Sequence, residues 1–296
     1  MIYFYSGHTN FGGSTLIIDS IVRLLNEGGV PALFYGKHPW FESLSRFNKA
    51  EGFPPVQPDD MLVCHYYVPE KRPNVRKSIY ATHEETSPIP FRIGRYLCSR
   101  CGGEMVTRLT KKDMAVCLHC HKRQAKFVGL GVFDHVVFSS IAHEKKCRAA
   151  QRDWGPSTVI PNPIEVDFEW RPPKEPVAGI IGTINSRKAP HVSIEKAREA
   201  GFKKIFLYGN YENPYFETVA KPLFDDDVVY KGLVSDREEM YNSISAVFQY
   251  SLQEQASMVL GECKKLGIPF HCSDAVHDWD LATHEEIFDA WCEVLK

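Results

Sequence analysis

The sequence predicts an α/β protein of two Rossmann-like domains facing a cleft, with a four-cysteine zinc ribbon set into the first domain. Three observations predict it. A strand–loop–helix–strand pattern opens the chain and starts again at Val177. A proline-rich stretch, Arg171-Pro-Pro-Lys-Glu-Pro176, separates the two series. Cys98-x-x-Cys101 and Cys117-x-x-Cys120 interrupt the first series with metal-ligand spacing. The expected boundaries are 1–170 for the first domain, with the ribbon at about 95–127, then 177–280 for the second and 281–296 for a terminal helix.

Composition is that of a water-soluble globular protein: 296 residues, 44% hydrophobic, 24% charged, formal net charge −2. No run of about eighteen apolar residues offers a membrane span. The first residues, MIYFYSGHTNFGG, lack the basic leader and apolar core of a signal peptide. Nine cysteines without such a leader point to a reducing, cytoplasmic compartment, where cysteines serve metal or catalysis. Cys64, Cys147, Cys263, Cys272 and Cys292 have no metal spacing and read as buried thiols.

Ile2-Tyr-Phe-Tyr5 reads as a buried strand, followed by a loop ending in Gly12-Gly13. Leu16, Ile17, Ile21, Leu24 and Leu25 then recur at helical spacing up to Gly28-Gly29, and Val30–Tyr35 is the next strand. The loop lacks G-x-G-x-x-G, which disfavours a dinucleotide site; its Gly-Gly pair still permits close approach of a phosphate, or makes a tight turn. Met61–Cys64 and Ser78–Ala81 are further strands. The second delivers His83 to a strand's carboxyl end, where open α/β sheets bind ligands.

The two C-x-x-C knuckles, fifteen residues apart, fit a four-thiolate structural zinc, with His119 and His121 as possible substitutes. A closed set of four cysteines leaves no open position for catalysis. Between Arg92 and Lys126 lie nine basic and two acidic residues, a local charge of +7 that leaves −9 for the remainder. So basic a segment is either a solvated insert or a docking patch for a polyanion, nucleic acid included.

The α/β pattern resumes with a strand at Asp134–Ser140 and the segment Thr158–Pro163. In the second series, strand Val177–Gly182 leads into a loop carrying Arg187 and Lys188 just before a helix. Strand Lys204–Tyr208 ends at Gly209, Val228–Tyr230 at Gly232, and a helix covers Asp236–Ile244. Strand Ala246–Tyr250 runs into Ser251–Gly267, where Glu254 and Glu262 stand eight positions apart. Glu254 is expected in the loop after the strand and Glu262 on the first turns of the following helix, which stops at Gly267. The N–H groups of Ser257, Met258 and Val259 at that helix start favour an anion. The two carboxylates would then hold hydroxyl groups on either side, unless both are ordinary surface charges.

In this order and spacing, the chain resembles the GT-B glycosyltransferases, and among them the large retaining family called group 1. The residues that carry the resemblance are Phe11-Gly-Gly13, His83, Val136–Ser139 and Val159-Ile-Pro-Asn162 in the first half. In the second they are Gly182…Arg187-Lys188, Leu207-Tyr-Gly209, Tyr230-Lys-Gly232, and Glu254-x7-Glu262 with Gly267-Ile-Pro269. The resemblance implies a sugar transferase, acting with retention, whose nucleotide-diphosphate sugar binds mainly to the second domain while the first handles the acceptor. It implies Glu262 as ribose ligand, Glu254 as contact to the donor sugar, and amides of Met258 and Val259 on the diphosphate, with Ser257 beside them in the donor site. Lys188 and Arg187 would neutralise that diphosphate, Gly12 and Gly13 would close over it, Gly209 would line the donor site, and His83 would lie near the sugar. Two positions depart from the family: Thr183 stands where an arginine is common, and Asn210 where a second glycine often follows Gly209.

A lysine, an arginine and a helix N-terminus can stabilise a departing diphosphate without a catalytic metal. The ribbon falls just after His83, on the acceptor side, which points to an anionic acceptor; a modified base in DNA fits, since bacteriophage enzymes that glycosylate such bases share the fold. A polysaccharide- or lipid-directed transferase, and a non-catalytic nucleic-acid-binding protein using the ribbon, are the alternatives.

Overall fold

The computed structural model describes residues 1–6, 13–36, 49–65, 73–82, 105–107, 114–117, 123–125, 133–150, 155–252, 254, 256–276 and 279–296. The chain divides into two compact units, Met1–Pro163 with Ala282–Lys296, and Ile164–Leu281.

The first unit is a seven-stranded sheet of order β10-β9-β5-β4-β1-β2-β3. Its strands are β1 (Ile2–Ser6), β2 (Ala32–Gly36), β3 (Lys49–Glu51), β4 (Met61–His65), β5 (Lys77–Thr82), β9 (His135–Phe138) and β10 (Ser157–Val159). Every neighbouring pair is parallel. In β1 the alternation that a half-covered strand requires is present: Ile2, Phe4 and Ser6 are buried, Tyr3 and Tyr5 only partly. In the central β4 all five residues are buried, as a strand covered on both faces must be. Helix α1 (Gly13–Glu27) buries Ile17, Ile18, Ile21, Val22 and Leu25, one stripe at helical spacing. Helix α2 (Ile141–Ala150) follows β9.

Between β5 and β9 lies a small antiparallel sheet of β6 (Met105–Thr107), β7 (Met114–Cys117) and β8 (Arg123–Ala125). It occupies the segment in which the ribbon is expected. Cys117 ends β7 opposite Met105, whereas Cys98, Cys101 and Cys120 lie outside the described residues, as do His83 and Gly12.

The second unit is a five-stranded sheet of order β13-β12-β11-β14-β15, again parallel throughout. Its strands are β11 (Val177–Ile181), β12 (Lys204–Tyr208), β13 (Val228–Gly232), β14 (Ala246–Gln249) and β15 (Phe270–Cys272). Its α-helices are α3 (Pro190–Glu199), α4 (Arg237–Asn242) and α5 (Met258–Leu266), with a short π-helical and 3-10 segment over Phe216–Leu223. The chain runs outward from β11 through β12 to β13, then returns to place β14 on β11's other side. The gap between the carboxyl ends of β11 and β14 is therefore the switch point, where open α/β sheets take their ligands.

The passage between units falls at Pro163/Ile164. Ile164 and Val166 are buried with Leu260, Val276 and Trp279, and Lys265 donates to the Ile164 carbonyl at 3.0 Å. The proline stretch 171–176 runs along the second unit, where the Arg171 N–H donates to Asn242 Oδ1 at 2.7 Å. Helix α6 (His284–Leu295) belongs to the first unit. Its Trp291 meets Phe4 edge-on at 5.5 Å, and Phe288 lies so close to Gly28 that a β-carbon there would overlap the ring at 2.1 Å.

Of the five cysteines read as buried thiols, Cys64 and Cys263 are buried, and the side chain of Cys147 lies outside the described residues. Cys272 is exposed, because it closes the short edge strand β15, and Cys292 is half-buried on α6. Among the described residues, no helix is long and apolar enough to cross a membrane.

Candidate functional site

Two loops meet at the switch point of the second unit. The first leaves β11 at Gly182 and reaches α3 through Arg187 and Lys188. Asn185 Oδ1 accepts from the Lys188 N–H at 2.9 Å, and Ala189 adopts a left-handed conformation (φ 44°) before Pro190 starts the helix. A non-glycine residue held there costs on the order of 1–2 kcal/mol, so the loop is fixed rather than relaxed. The second loop leaves β14 at Gln249 and reaches α5 through Glu254. The Leu252 N–H donates to the Arg187 carbonyl at 2.8 Å, which ties the loops together.

Their side chains converge on Glu254, which is 8% exposed. Lys188 Nζ donates to Glu254 Oε1, and Arg187 Nη1 lies 3.8 Å from Oε2. Gln249 Nε2 donates to Oε1 at 2.7 Å, and Ser251 Oγ adds a longer bond at 3.4 Å. Ser257 is the N-cap of α5, its Oγ accepting from the Leu260 N–H at 3.2 Å. Met258 and Val259, half-buried, form the helix's first turn, where N–H groups have no partner within the helix. Two cations and a helix N-terminus beside one buried carboxylate form an arrangement that can balance an incoming anion while the carboxylate accepts from hydroxyl groups.

Gly209 (φ 132°) follows β12, and its N–H donates to the Gly232 carbonyl at 2.8 Å. It lies against Gly182, whose own α-carbon faces the Lys188 stem. Gly13 is the first residue of α1 in the first unit.

Glu262, on the second turn of α5, is 5% exposed and has different neighbours. Arg237 Nη1 donates to Oε1 at 2.9 Å, and the Tyr241 hydroxyl donates to Oε2. Arg237 and Tyr241 stand one turn apart on α4, which is capped by Asp236. Burial pushes the Glu262 carboxyl above its ordinary range; Arg237 and Tyr241 pull it back without cancelling the rise. Burial and the Glu262 charge likewise raise the Tyr241 hydroxyl.

A carboxyl raised on folding contributes stability while protonated. That contribution is present below the unfolded value of 4.5 and is lost as pH rises through the folded one. Glu262→Gln is therefore expected to gain in melting temperature relative to the wild type as pH rises from about 4 to about 8. Parallel melting curves for the two proteins over that range would show that Glu262 is not raised.

The structure thus brings Arg187, Lys188, Glu254 and Ser257 together, with Met258 and Val259 beside them, and sets Glu262 one turn deeper. Gln249, Ser251, Arg237 and Tyr241 were not singled out from sequence. The Arg237–Tyr241 spacing of four was the one available signal for a shared helix face.

The chain has the fold of GT-B glycosyltransferases. It superposes on HepE from Anabaena, solved with UDP-glucose, at TM-score 0.63 and 15% identity, over 99% of this chain and 88% of that one. It is similar to WaaG, a glycosyltransferase involved in lipopolysaccharide biosynthesis, at 0.59 and 14%, over 100% and 90%. A third similar structure is the lipopolysaccharide outer core galactosyltransferase WaaB, at 0.52 and 12%, over 94% and 82%. No protein-family model and no curated protein sequence matches the chain.

Proposed function

We propose that this chain is a glycosyltransferase moving a sugar from a nucleotide-diphosphate donor to an acceptor hydroxyl, with the donor held by its second unit. The observation that carries the reading is the Lys188–Glu254 pair, flanked by Arg187 and the α5 N-terminus, at the switch point of that unit's sheet. The UDP-glucose named with HepE supports it. In the reaction, the bond between the anomeric carbon and the donor's phosphate oxygen breaks, and its electrons leave on the diphosphate. The acceptor hydroxyl bonds to the carbon and passes its proton to an oxygen of the departing diphosphate. Lys188, Arg187 and the amides of Ser257, Met258 and Val259 stabilise the departing diphosphate, with no catalytic metal needed. Glu254 holds a hydroxyl of the donor sugar, and Glu262, oriented by Arg237 and Tyr241, takes the ribose hydroxyls. Gly209 lets the loops beneath the donor approach each other. The roles of His83, Gly12 and Gly13, and retention of configuration, follow from the resemblance.

Thermal melting against UDP, GDP and dTDP with their sugars tests the donor site. One nucleotide family is expected to raise the melting temperature of the wild type and not that of Glu262→Ala. No shift with any of them would sink the transferase reading.

In the ribbon, Cys98, Cys101, Cys117 and Cys120 would hold a zinc ion. The backbone supports this: an antiparallel hairpin joins the two knuckles, and Cys117 sits across from Met105, four residues past Cys101. Four thiolate ligands would leave no open position for chemistry, so the metal would be structural and would help fix the fold of this segment. Purified protein is expected to hold about one zinc per chain and to lose it on Cys98→Ser; metal-free protein that melts as well as the zinc-loaded form would overturn the assignment.

The acceptor is anionic, and nucleic acid carrying a modified base is our choice, on the +7 charge of residues 92–126. Reversing Arg108, Lys111 and Lys112 to glutamate is expected to weaken DNA binding at low salt and flatten its salt dependence. Unchanged affinity and slope would leave the acceptor to be sought among neutral glycans.

A further inference from the structure

Gln249 stands at the last position of β14, 3% exposed, and its amide is used from both ends. Its oxygen accepts from Ser257 Oγ at 2.7 Å, and its nitrogen donates to Glu254 Oε1 at 2.7 Å and to Ser251 Oγ at 3.3 Å. Ser257 in turn caps α5 through the Leu260 N–H. An unbroken chain of hydrogen bonds therefore runs from the first turn of α5 to the carboxylate that Lys188 grips. The direction of the amide is dictated by its neighbours, since a flipped side chain would aim its oxygen at a carboxylate. A buried amide that satisfies two buried partners costs little, and it forfeits both bonds if it moves. An apolar side chain would serve the packing of this strand equally well, as Val247 and Phe248 do beside it.

We propose that Gln249 is a positioning residue. It locks Glu254 to the N-cap of α5, so that the carboxylate facing the sugar and the helix end facing the diphosphate keep one fixed spacing. This rests on the donor-site reading above. The distinction that follows is between turnover and binding: the diphosphate still meets Lys188, Arg187 and the helix amides when Gln249 is changed, while the carboxylate loses its reference point. A misplacement of about 1 Å at a reacting centre costs on the order of 100-fold in rate.

The test uses the full chain and whichever of UDP-glucose, GDP-mannose and dTDP-glucose the wild type hydrolyses. Gln249→Met keeps the length of the side chain and removes both bonds. It is expected to lower kcat by about 10- to 100-fold while changing KM and nucleotide-diphosphate affinity by less than about 3-fold. Gln249→Glu adds a readout that packing alone does not produce. When protonated it presents a donor to Glu254 and an acceptor to Ser257, as glutamine does; when ionised it opposes Glu254 with like charge. Its kcat relative to the wild type is therefore expected to rise as pH falls, while the ratio for Gln249→Met stays flat. If Gln249→Met melts too low to assay, the pH profile of Gln249→Glu decides alone. Wild-type kcat in Gln249→Met, an equal loss in KM and kcat, or a flat ratio for Gln249→Glu would overturn the proposal with the donor site intact. No hydrolysis and no nucleotide binding by the wild type would remove the donor reading itself, and this one with it.

Discussion

Lys188→Ala is expected to lower nucleotide-sugar turnover by about 100- to 1,000-fold, the loss seen when one preorganised group that meets developing charge is removed. Lys188 is preorganised in three ways. Its backbone N–H is bound by Asn185, its stem passes over Gly182, and its ammonium is already bonded to Glu254 before any ligand arrives. In the proposed reaction the loss should fall mainly on kcat, because negative charge on a leaving diphosphate would grow along the reaction coordinate. Glu254 would keep Arg187 at 3.8 Å and the amide of Gln249, so the buried carboxylate is not stranded. The fold should consequently lose only about 1–3 kcal/mol. Lys188→Arg should retain more activity than Lys188→Ala. Kinetics beside a melting curve separate the two effects, and an alanine variant within about 3-fold of wild-type kcat would exclude Lys188 from the chemistry.

Gly209→Ala is expected to destabilise the second unit by about 3 kcal/mol or more, combining strain and overpacking. At φ 132° an L side chain is strained in any surroundings. Here the added β-carbon would also lie 2.2 Å from the carbonyl oxygen of Gly182, a backbone atom at the end of the neighbouring strand. That oxygen can move only if the β11–Lys188 loop moves with it. A fall in the midpoint of urea unfolding is therefore expected to accompany weaker nucleotide binding. An alanine variant that unfolds like the wild type would show that the two strand ends do not meet this closely.

Much of the second unit's site was legible because its signals are local. The carboxyl end of a strand, a loop with adjacent Arg187 and Lys188, and a serine before a helical run each depend on neighbours in sequence. The partners of Glu262 were not legible: Arg237 and Tyr241 lie 25 and 21 residues away, and only packing of α4 against α5 reveals them. Gln249 was hidden differently, as one polar residue inside the apolar run Ala246–Tyr250, which reads equally well as a side chain facing water. Strands β3 and β10, three residues each, are too short for alternation to register. The proline stretch at 171–176 reads as a linker because proline favours extended backbone, yet Trp170 donates to the carbonyls of Tyr241 and Ile244 just before it. The chain has by then joined the second unit.

Helix α6 has a consequence for how the molecule comes into being. Residues 282–296 complete a body that residues 1–163 began, and the whole of 164–281 intervenes. A ribosome must therefore finish one body before it releases the last piece of the other. Until Trp291 emerges, Phe4 and the end of α1 lack the cover that α6 gives them. Removing residues 282–296 is therefore expected to destabilise the first unit more than the second.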